Sequence, residues 1–203
     1  MVLPSVILFP QAFLPLYIFE PRYRRMLERS LDSHRLFCVA MQRADRRRES
    51  PAGIAGLGLV RAAREHADGS SHLILQGVAR VQLGAVARYR PYRTHQIEVL
   101  PSQVADTAVA DALVARLLEL VSDRLQRGAS IPQELGVLPV AGSETAKPGQ
   151  SGVEFLAHVT KPEQIADLVS WALLSSPGQR QLLLETLDVE TRLRRLIEFL
   201  VAD

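Results

Sequence analysis

The spacing of apolar residues along the sequence changes near Pro101. Over residues 36–100 the apolar positions alternate with polar ones or form short runs, as strands do, and after Pro101 they recur every three or four residues, as in helices. We therefore expect a β-rich lobe over residues 1–101 and a helical lobe over residues 102–203. Within the second lobe, prolines and glycines predict a loop at about 129–152.

Four apolar runs in the first lobe predict strands joined by short turns. They span about residues 36–41, 54–65, 72–76 and 78–87. Asp68-Gly69 separates the second run from the third and predicts a hairpin, because both residues tolerate positive φ. Gly77 interrupts the pattern as a β-bulge or tight bend would. Such strands would pair as a closed or half-closed antiparallel barrel.

The amino-terminal segment is apolar and rich in proline before it becomes basic. Val6 and Leu8 indicate a short buried strand that Pro10 ends, because proline has no N–H to give a sheet ladder. A second short strand is expected at about Leu16–Phe19. From Glu20 the spacing predicts a helix that covers one opening of the barrel. Its apolar face holds Tyr23, Met26, Leu27 and Leu31.

Four helices are expected in the second lobe. The first is long, with Asp106 as its N-cap and Gly128 as its stop. Capping boxes at residues 160–163 and 176–179 would begin the next two helices. Asp188 would cap the last helix, which makes this lobe a small helical bundle.

Three passages of the sequence resemble the amino-terminal domain of Lon proteases. They are FPQAFLPLYIFEPRYRRML at residues 9–27, the paired segments GIAGLGLV and LILQGVARV at residues 53–60 and 73–81, and QRQLLLETLDVETRL at residues 179–193. The sequence departs from that family at Gln11, where members commonly place a glycine after the proline. The resemblance implies an α+β fold, with a PUA-like antiparallel β-barrel lobe and one covering helix followed by an all-helical bundle lobe.

The resemblance also implies a role, which is recognition of protein substrates ahead of an ATP-driven unfoldase and protease. The sequence itself contains no Gly-x-x-x-x-Gly-Lys-Ser/Thr loop, since Lys147 and Lys161 are its only lysines. Nothing in it matches the serine–lysine motif of the Lon proteolytic domain. We therefore interpret the chain as a stand-alone, non-enzymatic protein or peptide recognition module, with an adaptor role in protein quality control, and expect no cofactor.

Peptide binding requires an exposed apolar surface, and Phe13, Leu14 and Tyr17 are the candidate residues for it. Phe13 and Leu14 lie between two prolines, in a connection where burial is least assured. Tyr17 and Phe19 are expected to turn at least partly into the barrel. The expected partners are unfolded or partly folded polypeptides, together with a protease or unfoldase.

A run of arginines favours a competing function. Arg46, Arg47 and Arg48 are suited to binding phosphate groups, so an RNA- or phosphate-ligand-binding PUA-like protein is the alternative. Asp45 and Glu49 dilute this run, and a formal net charge of +2 gives no global field for capturing nucleic acid. An uncharacterised hydrolase is the third class considered.

The remaining candidate residues do not indicate a catalytic or metal-binding site. Glu154 and His158 are one helical turn apart but have no third ligand nearby, so no metal site is expected. The single cysteine, Cys38, lies in an apolar run, which fits a core residue in a reducing compartment. Prolines interrupt the amino terminus, so neither export nor membrane spanning is indicated and a cytoplasmic protein is expected.

Overall fold

The computed structural model describes residues 1–43, 45, 49–103, 106–127 and 159–202. The chain divides into two compact units, unit 1 over Met1–Pro101 and unit 2 over Ser102–Asp203. Each unit is described by itself.

Unit 1 is a sheet with one helix against it. The strands are β1 (Val2–Leu3), β2 (Phe13–Ile18), β3 (Leu36–Met41), β4 (Ile54–Glu65), β5 (Ser71–Arg88) and β6 (Thr94–Leu100), and the helix is α1 (Pro21–Leu31). In the described residues the strands pair in the order β1-β3-β4-β5-β2, and β6 also pairs with β5. The long strand β5 therefore organises the sheet, because it borders β4, β2 and β6.

The sheet and the helices of unit 2 confirm the α+β fold, with one difference in strand direction. β1 and β3 run parallel, with Val2 opposite Ala40, whereas the sequence predicted antiparallel strands throughout. The other pairings, β2 with β5, β3 with β4, β4 with β5 and β5 with β6, are antiparallel. Both β2 and α1 lie between β1 and β3 in the chain, which gives the long connection that a parallel pair needs.

The predicted strand around Val6 and Leu8 is absent, since residues 6–9 have no strand pairing in the described chain. Leu8 and Phe9 are instead fully buried and pass directly over two glycines of the sheet. A Cβ on Gly56 would lie 2.0 Å from the Leu8 carbonyl oxygen, and one on Gly77 would lie 1.9 Å from that of Phe9. The glycines therefore permit close packing of backbone on backbone.

The β4–β5 hairpin forms as the Asp-Gly pair predicts. Gly69 has φ +75°, and the Asp68 carboxylate accepts hydrogen bonds from the Ser70 amide at 2.9 Å and the Ser70 hydroxyl at 2.6 Å. Further along, Gly58 is opposite Gly77 while Leu57 is opposite Ala79, which leaves one extra residue in β5. The bulge at Gly77 is thus confirmed, but β5 continues through it as one strand.

The helix α1 closes the core of unit 1. The sequence predicted helical spacing from Glu20, and in the structure Glu20 is the N-cap and Pro21 the first helical residue. Tyr23, Met26 and Leu27 are buried in one cluster with residues of the sheet. The sheet residues of that cluster are Ile18, Phe37, Val39, Val60, Leu73 and Leu75.

Unit 2 is helical in its described residues. Its helices are α2 (Thr107–Gln126), α3 (Pro162–Leu173), α4 (Pro177–Glu185) and α5 (Val189–Ala202). The predicted stop at Gly128 and the loop at about 129–152 lie outside the described residues. No helix of the described ranges combines the length and apolarity needed to cross a bilayer.

Three of these helices have an N-cap residue whose side chain accepts a hydrogen bond from the first turn. Asp106 accepts hydrogen bonds from the first turn of α2, Ser176 accepts one from Gln179 in α4, and the Asp188 carboxylate accepts one from the Thr191 amide. The capping box predicted at residues 160–163 is wrong, because Lys161 occupies the N-cap of α3 and makes no side-chain cap hydrogen bond. Pro162 supplies the preset φ of the first turn instead.

Candidate functional site

An apolar stripe covers the outward face of β2. Side chains alternate along a strand, so Leu14, Leu16 and Ile18 pack on the core cluster of unit 1. The opposite face carries Phe13, Pro15, Tyr17 and, just beyond the strand, Phe19, which we call the β2 surface. Tyr17 is 48% exposed and Phe19 57% exposed.

The two exposed aromatic rings form one continuous patch. The ring centroids of Tyr17 and Phe19 are 5.9 Å apart in a stacked arrangement. The Tyr17 hydroxyl donates a hydrogen bond to Ser70 Oγ at 3.0 Å, which fixes the ring while about half of the residue stays exposed. Solvent-exposed rings held in this way offer apolar area at little cost in side-chain entropy.

Histidines from the β4–β5 hairpin extend this patch. His72 is opposite Tyr17 in the strand register, with ring centroids 4.7 Å apart. His66 Nε2 and His72 Nδ1 are 2.7 Å apart, so one ring donates a hydrogen bond and the other accepts it. This pairing holds His72 beside Tyr17.

A groove of about 440 Å³ runs alongside the β2 surface. It is lined by Pro15, Leu16, Tyr17, Ala62, Ala63, Arg64, His72, Leu73 and Ile74. Most of these side chains are apolar, and Arg64 places a positive charge at the lining. The groove is within the size range of ligand sites, and it suits apolar side chains of an extended chain.

The β2 surface favours side-chain contact over addition of a further strand. β2 ends the pairing order among the described strands, which makes it an edge strand. Pro15 sits in its middle and has no N–H to donate to a partner strand, and proline is a common protection of sheet edges. A ligand would therefore bind through its side chains.

The structure separates the three residues proposed for peptide binding. Phe13 and Leu14 lie in β2, opposite Gln76 and Leu75, and not in the expected connection between prolines. Leu14 faces the core cluster, whereas Phe13 and Tyr17 share the outward face. The expectation that Tyr17 and Phe19 turn into the barrel is wrong, because the alternation begins at Phe13 and directs both rings outward.

Other candidates from the sequence lie elsewhere. Arg46, Arg47 and Arg48 are outside the described residues, as are Glu154 and His158. Sequence reasoning missed the contribution of His66 and His72, although their positions on either side of Asp68-Gly69 predict neighbouring strands. Among the described residues, no group of three His, Cys, Asp or Glu side chains could hold a metal ion.

A separate cavity of about 370 Å³ lies between α1 and β6, and we call it the α1–β6 cavity. Its floor is an apolar row on four neighbouring strands. The floor residues are Cys38, Leu57, Leu83 and Ile97, in which Cys38 is opposite Leu57 and Leu83 is opposite Ile97. Met26 and Phe37 add to its apolar walls.

An ion pair borders one end of this cavity. Arg22 donates two hydrogen bonds to the Glu49 carboxylate, at 2.5 and 3.0 Å, and the Tyr23 hydroxyl donates a third at 3.1 Å. The Arg22 hydrogen bonds hold the pKa of the Glu49 carboxyl below its usual range. On the floor, burial raises the pKa of the Cys38 thiol, so the thiol stays protonated and unreactive.

Comparison with solved structures places the fold among Lon amino-terminal domains. The N-terminal domain of Mycobacterium avium complex Lon protease superposes with a TM-score of 0.74 at 21% identity, over 99% of this chain and 96% of that one. The Lon N-terminal domain protein from Xanthomonas campestris gives a TM-score of 0.60 at 16% identity, over 98% and 96%. At these identities the likeness shows the fold.

Curated relatives and a family model extend the likeness to sequence. The Lon protease of Paraburkholderia phytofirmans is 30% identical over 200 residues, which cover 96% of this chain and 23% of that protein. That of Roseiflexus castenholzii is 26% identical, over 98% of this chain and 23% of the relative. The chain thus spans about a quarter of these relatives. The model of the ATP-dependent protease La (LON) substrate-binding domain matches residues 1–202, and the chain therefore belongs to the LON substrate-binding domain family.

Proposed function

We propose that this chain recognises unfolded or partly folded polypeptides through the β2 surface, without catalysing a reaction on them. The observation that carries the proposal is the exposed aromatic pair Tyr17 and Phe19 beside the apolar groove. Membership of a family named for substrate binding supports it. An adaptor role, in which bound chains pass to a protease or unfoldase, completes the proposal.

The chemistry of unfolded chains matches this surface. An unfolded polypeptide exposes apolar and aromatic side chains that a folded protein buries, and burying them on another surface is favourable without any fixed sequence. Phe13, Tyr17 and Phe19 offer apolar area on one face of one strand. A contact of this kind is expected to depend weakly on salt, because it needs no charge pair.

The test measures binding of fluorescently labelled, unfolded casein to the wild-type chain and to a Tyr17→Ser/Phe19→Ser double variant. We expect the double variant to bind about tenfold more weakly, because truncated aromatic contacts are typically the costly ones in an interface. Both side chains are about half exposed, so thermal unfolding should change little.

Two control variants separate ring contact from other effects. Tyr17→Phe removes the hydrogen bond to Ser70 Oγ but keeps the ring, so casein binding should be nearly unchanged. Tyr89→Ser removes an aromatic side chain that is 67% exposed and lies outside the β2 surface. Equal losses with Tyr89→Ser would contradict the assignment of the surface, and cleavage of casein or hydrolysis of ATP would contradict the non-enzymatic role.

A further inference from the structure

We propose that the α1–β6 cavity is a second binding site, which takes a short acidic peptide segment by enclosing one large apolar side chain. It shares no lining residue with the groove beside the β2 surface. The proposal therefore goes beyond recognition at that surface and does not depend on it.

The apolar floor sets the first requirement on the ligand. Cys38, Leu57 and Leu83 are half-buried, and Ile97 is 46% exposed although it is a large aliphatic residue. A cavity of about 370 Å³ has room for a leucine- or phenylalanine-sized side chain with part of its backbone. Enclosing that side chain removes apolar area of both partners from water.

Unpaired cations at the cavity set the second requirement. Arg22 is already engaged by Glu20 and Glu49, so that group as a whole has a net charge of −1, which two further arginines exceed. Arg29 and Arg93 also line the cavity. Within the described part of the chain neither guanidinium has a hydrogen bond or a salt bridge, and the Arg93 charge also helps to lower the pKa of the Glu49 carboxyl. The cavity thus carries an excess of positive charge, which complements carboxylates that flank the apolar side chain.

A histidine on β6 adds a polar contact for a peptide backbone. His95 Nδ1 lies 3.0 Å from the Gly84 carbonyl oxygen, and since a carbonyl only accepts, Nδ1 is the donor. In the neutral ring, Nε2 is then an acceptor, and it is buried without a partner among the described residues. An N–H donor of a bound peptide would satisfy this acceptor.

The test uses fluorescence anisotropy of three labelled peptides with the full chain. The first has one phenylalanine between blocks of aspartate and glutamate, the second has lysines in place of the acidic residues, and the third has serine in place of phenylalanine. We expect the first to bind, and the second and third to bind at least tenfold more weakly. Affinity of the first peptide should fall as sodium chloride rises from 50 to 300 mM, because the charge pairs are partly exposed.

Substitutions of residues that line the α1–β6 cavity test their role in binding the acidic peptide. Arg29→Gln/Arg93→Gln should weaken the acidic peptide about three- to tenfold, as expected for the loss of two partly exposed ion pairs. Arg25→Gln is the matched control, because Arg25 is an exposed arginine of the same helix that does not line the cavity. Ile97→Ser should weaken binding by removing apolar floor.

The outcomes distinguish this site from the β2 surface. Tyr17→Ser/Phe19→Ser should leave the affinity for the acidic peptide unchanged, whereas Arg29→Gln/Arg93→Gln should weaken it. Equal affinity for the lysine peptide, or an Arg25→Gln effect as large as that of the double variant, would overturn the proposal. So would stronger binding of a short single-stranded RNA than of the acidic peptide, which would assign the cations to phosphate.

Discussion

At position 192, an arginine in α5 is completely buried. Its guanidinium donates hydrogen bonds to the carbonyl oxygens of Thr186 and Leu187, at 2.8 and 3.1 Å, and pairs with the Asp167 carboxylate at 3.1 Å. These contacts tie the link between α4 and α5 to α3. A guanidinium has five N–H donors in a fixed planar arrangement, whereas a lysine ammonium has only three.

Removing the Arg192 charge alone is expected to destabilise the chain severely. We predict that Arg192→Leu lowers the free energy of unfolding by about 3–5 kcal/mol, because the buried ion pair with Asp167 and the hydrogen bonds to the carbonyl oxygens of Thr186 and Leu187 are all lost. Urea denaturation followed by circular dichroism measures the effect. Adding Asp167→Leu to the same variant should recover part of the loss, and a double variant no more stable than Arg192→Leu would contradict this account.

A second residue explains a departure from the family pattern. Gln11 is the position at which the resemblance to Lon domains implies a glycine, and its φ is +68°, in the left-handed region that favours glycine. Its amide donates a hydrogen bond to the Gly77 carbonyl oxygen at 2.8 Å, which fixes this conformation. The turn after Pro10 thus forms with a glutamine in the left-handed conformation.

At the scale of the elements, strand β5 contains two glycines that differ in how much space surrounds them. Gly77 lies beneath the Phe9 carbonyl oxygen, with no space for a Cβ. Gly84, in the same strand, would place a Cβ 3.4 Å from the Gln96 carbonyl oxygen, which is close to ordinary contact. A substitution at Gly77 therefore tests the lack of space for a side chain, and one at Gly84 tests the entropic cost of glycine in a strand.

We predict that Gly77→Ala destabilises the chain by about 3 kcal/mol or more, because backbone must move away from backbone. Gly84→Ala should be neutral or stabilising by up to about 1 kcal/mol, because alanine loses less entropy in a strand. Thermal unfolding of both variants under the same conditions provides the comparison. Equal destabilisation at the two positions would show that the contact with Phe9 is not the cause.

Elements with a strong local signal were predictable from the sequence. The period of α1, the Asp68-Gly69 hairpin and the cap of α2 at Asp106 each depend on residues close together in the chain. The path of residues 6–9 was not predictable, because the buried apolar run is the same for a strand and for a segment lying on glycines. Only the position of Gly56 and Gly77 beneath it decides between them, and that is a long-range contact.

The binding surfaces show the same division between local and long-range information. The sequence indicated Phe13 and Tyr17, and the alternation along β2 places both on one face. The α1–β6 cavity was not indicated, because its floor and cations come from six separate elements or loops. Such a site exists only after the strands have paired, so no local pattern marks it.

At the scale of the whole molecule, each unit has its own buried apolar residues. Unit 1 has the cluster that includes Leu8, Phe37 and Leu75, and unit 2 buries Leu117 and Leu193. Every strand pairing of β1 to β6 also lies within unit 1. A polypeptide of about 100 residues with a sheet and a covering helix is large enough to fold alone.

We predict that residues 1–101 fold without the rest of the chain. The fragment should give a β-type circular dichroism spectrum and a single cooperative transition in urea, because its core residues and strand partners are all present. It should also retain binding at the β2 surface. A spectrum of unordered chain, under conditions in which the full chain is folded, would contradict the prediction.

The long strand β5 also sets the order of events during synthesis. Among the described strands β2 pairs only with β5, so that Ile18 must wait for Ser71, about 50 residues later in the chain. At roughly 5–20 residues per second, that wait lasts several seconds on the ribosome. During this time Tyr17 and Phe19 leave the exit tunnel on a segment without a strand partner. The nascent domain therefore passes through a stage in which it displays the same apolar, unfolded character as the chains that we propose it binds.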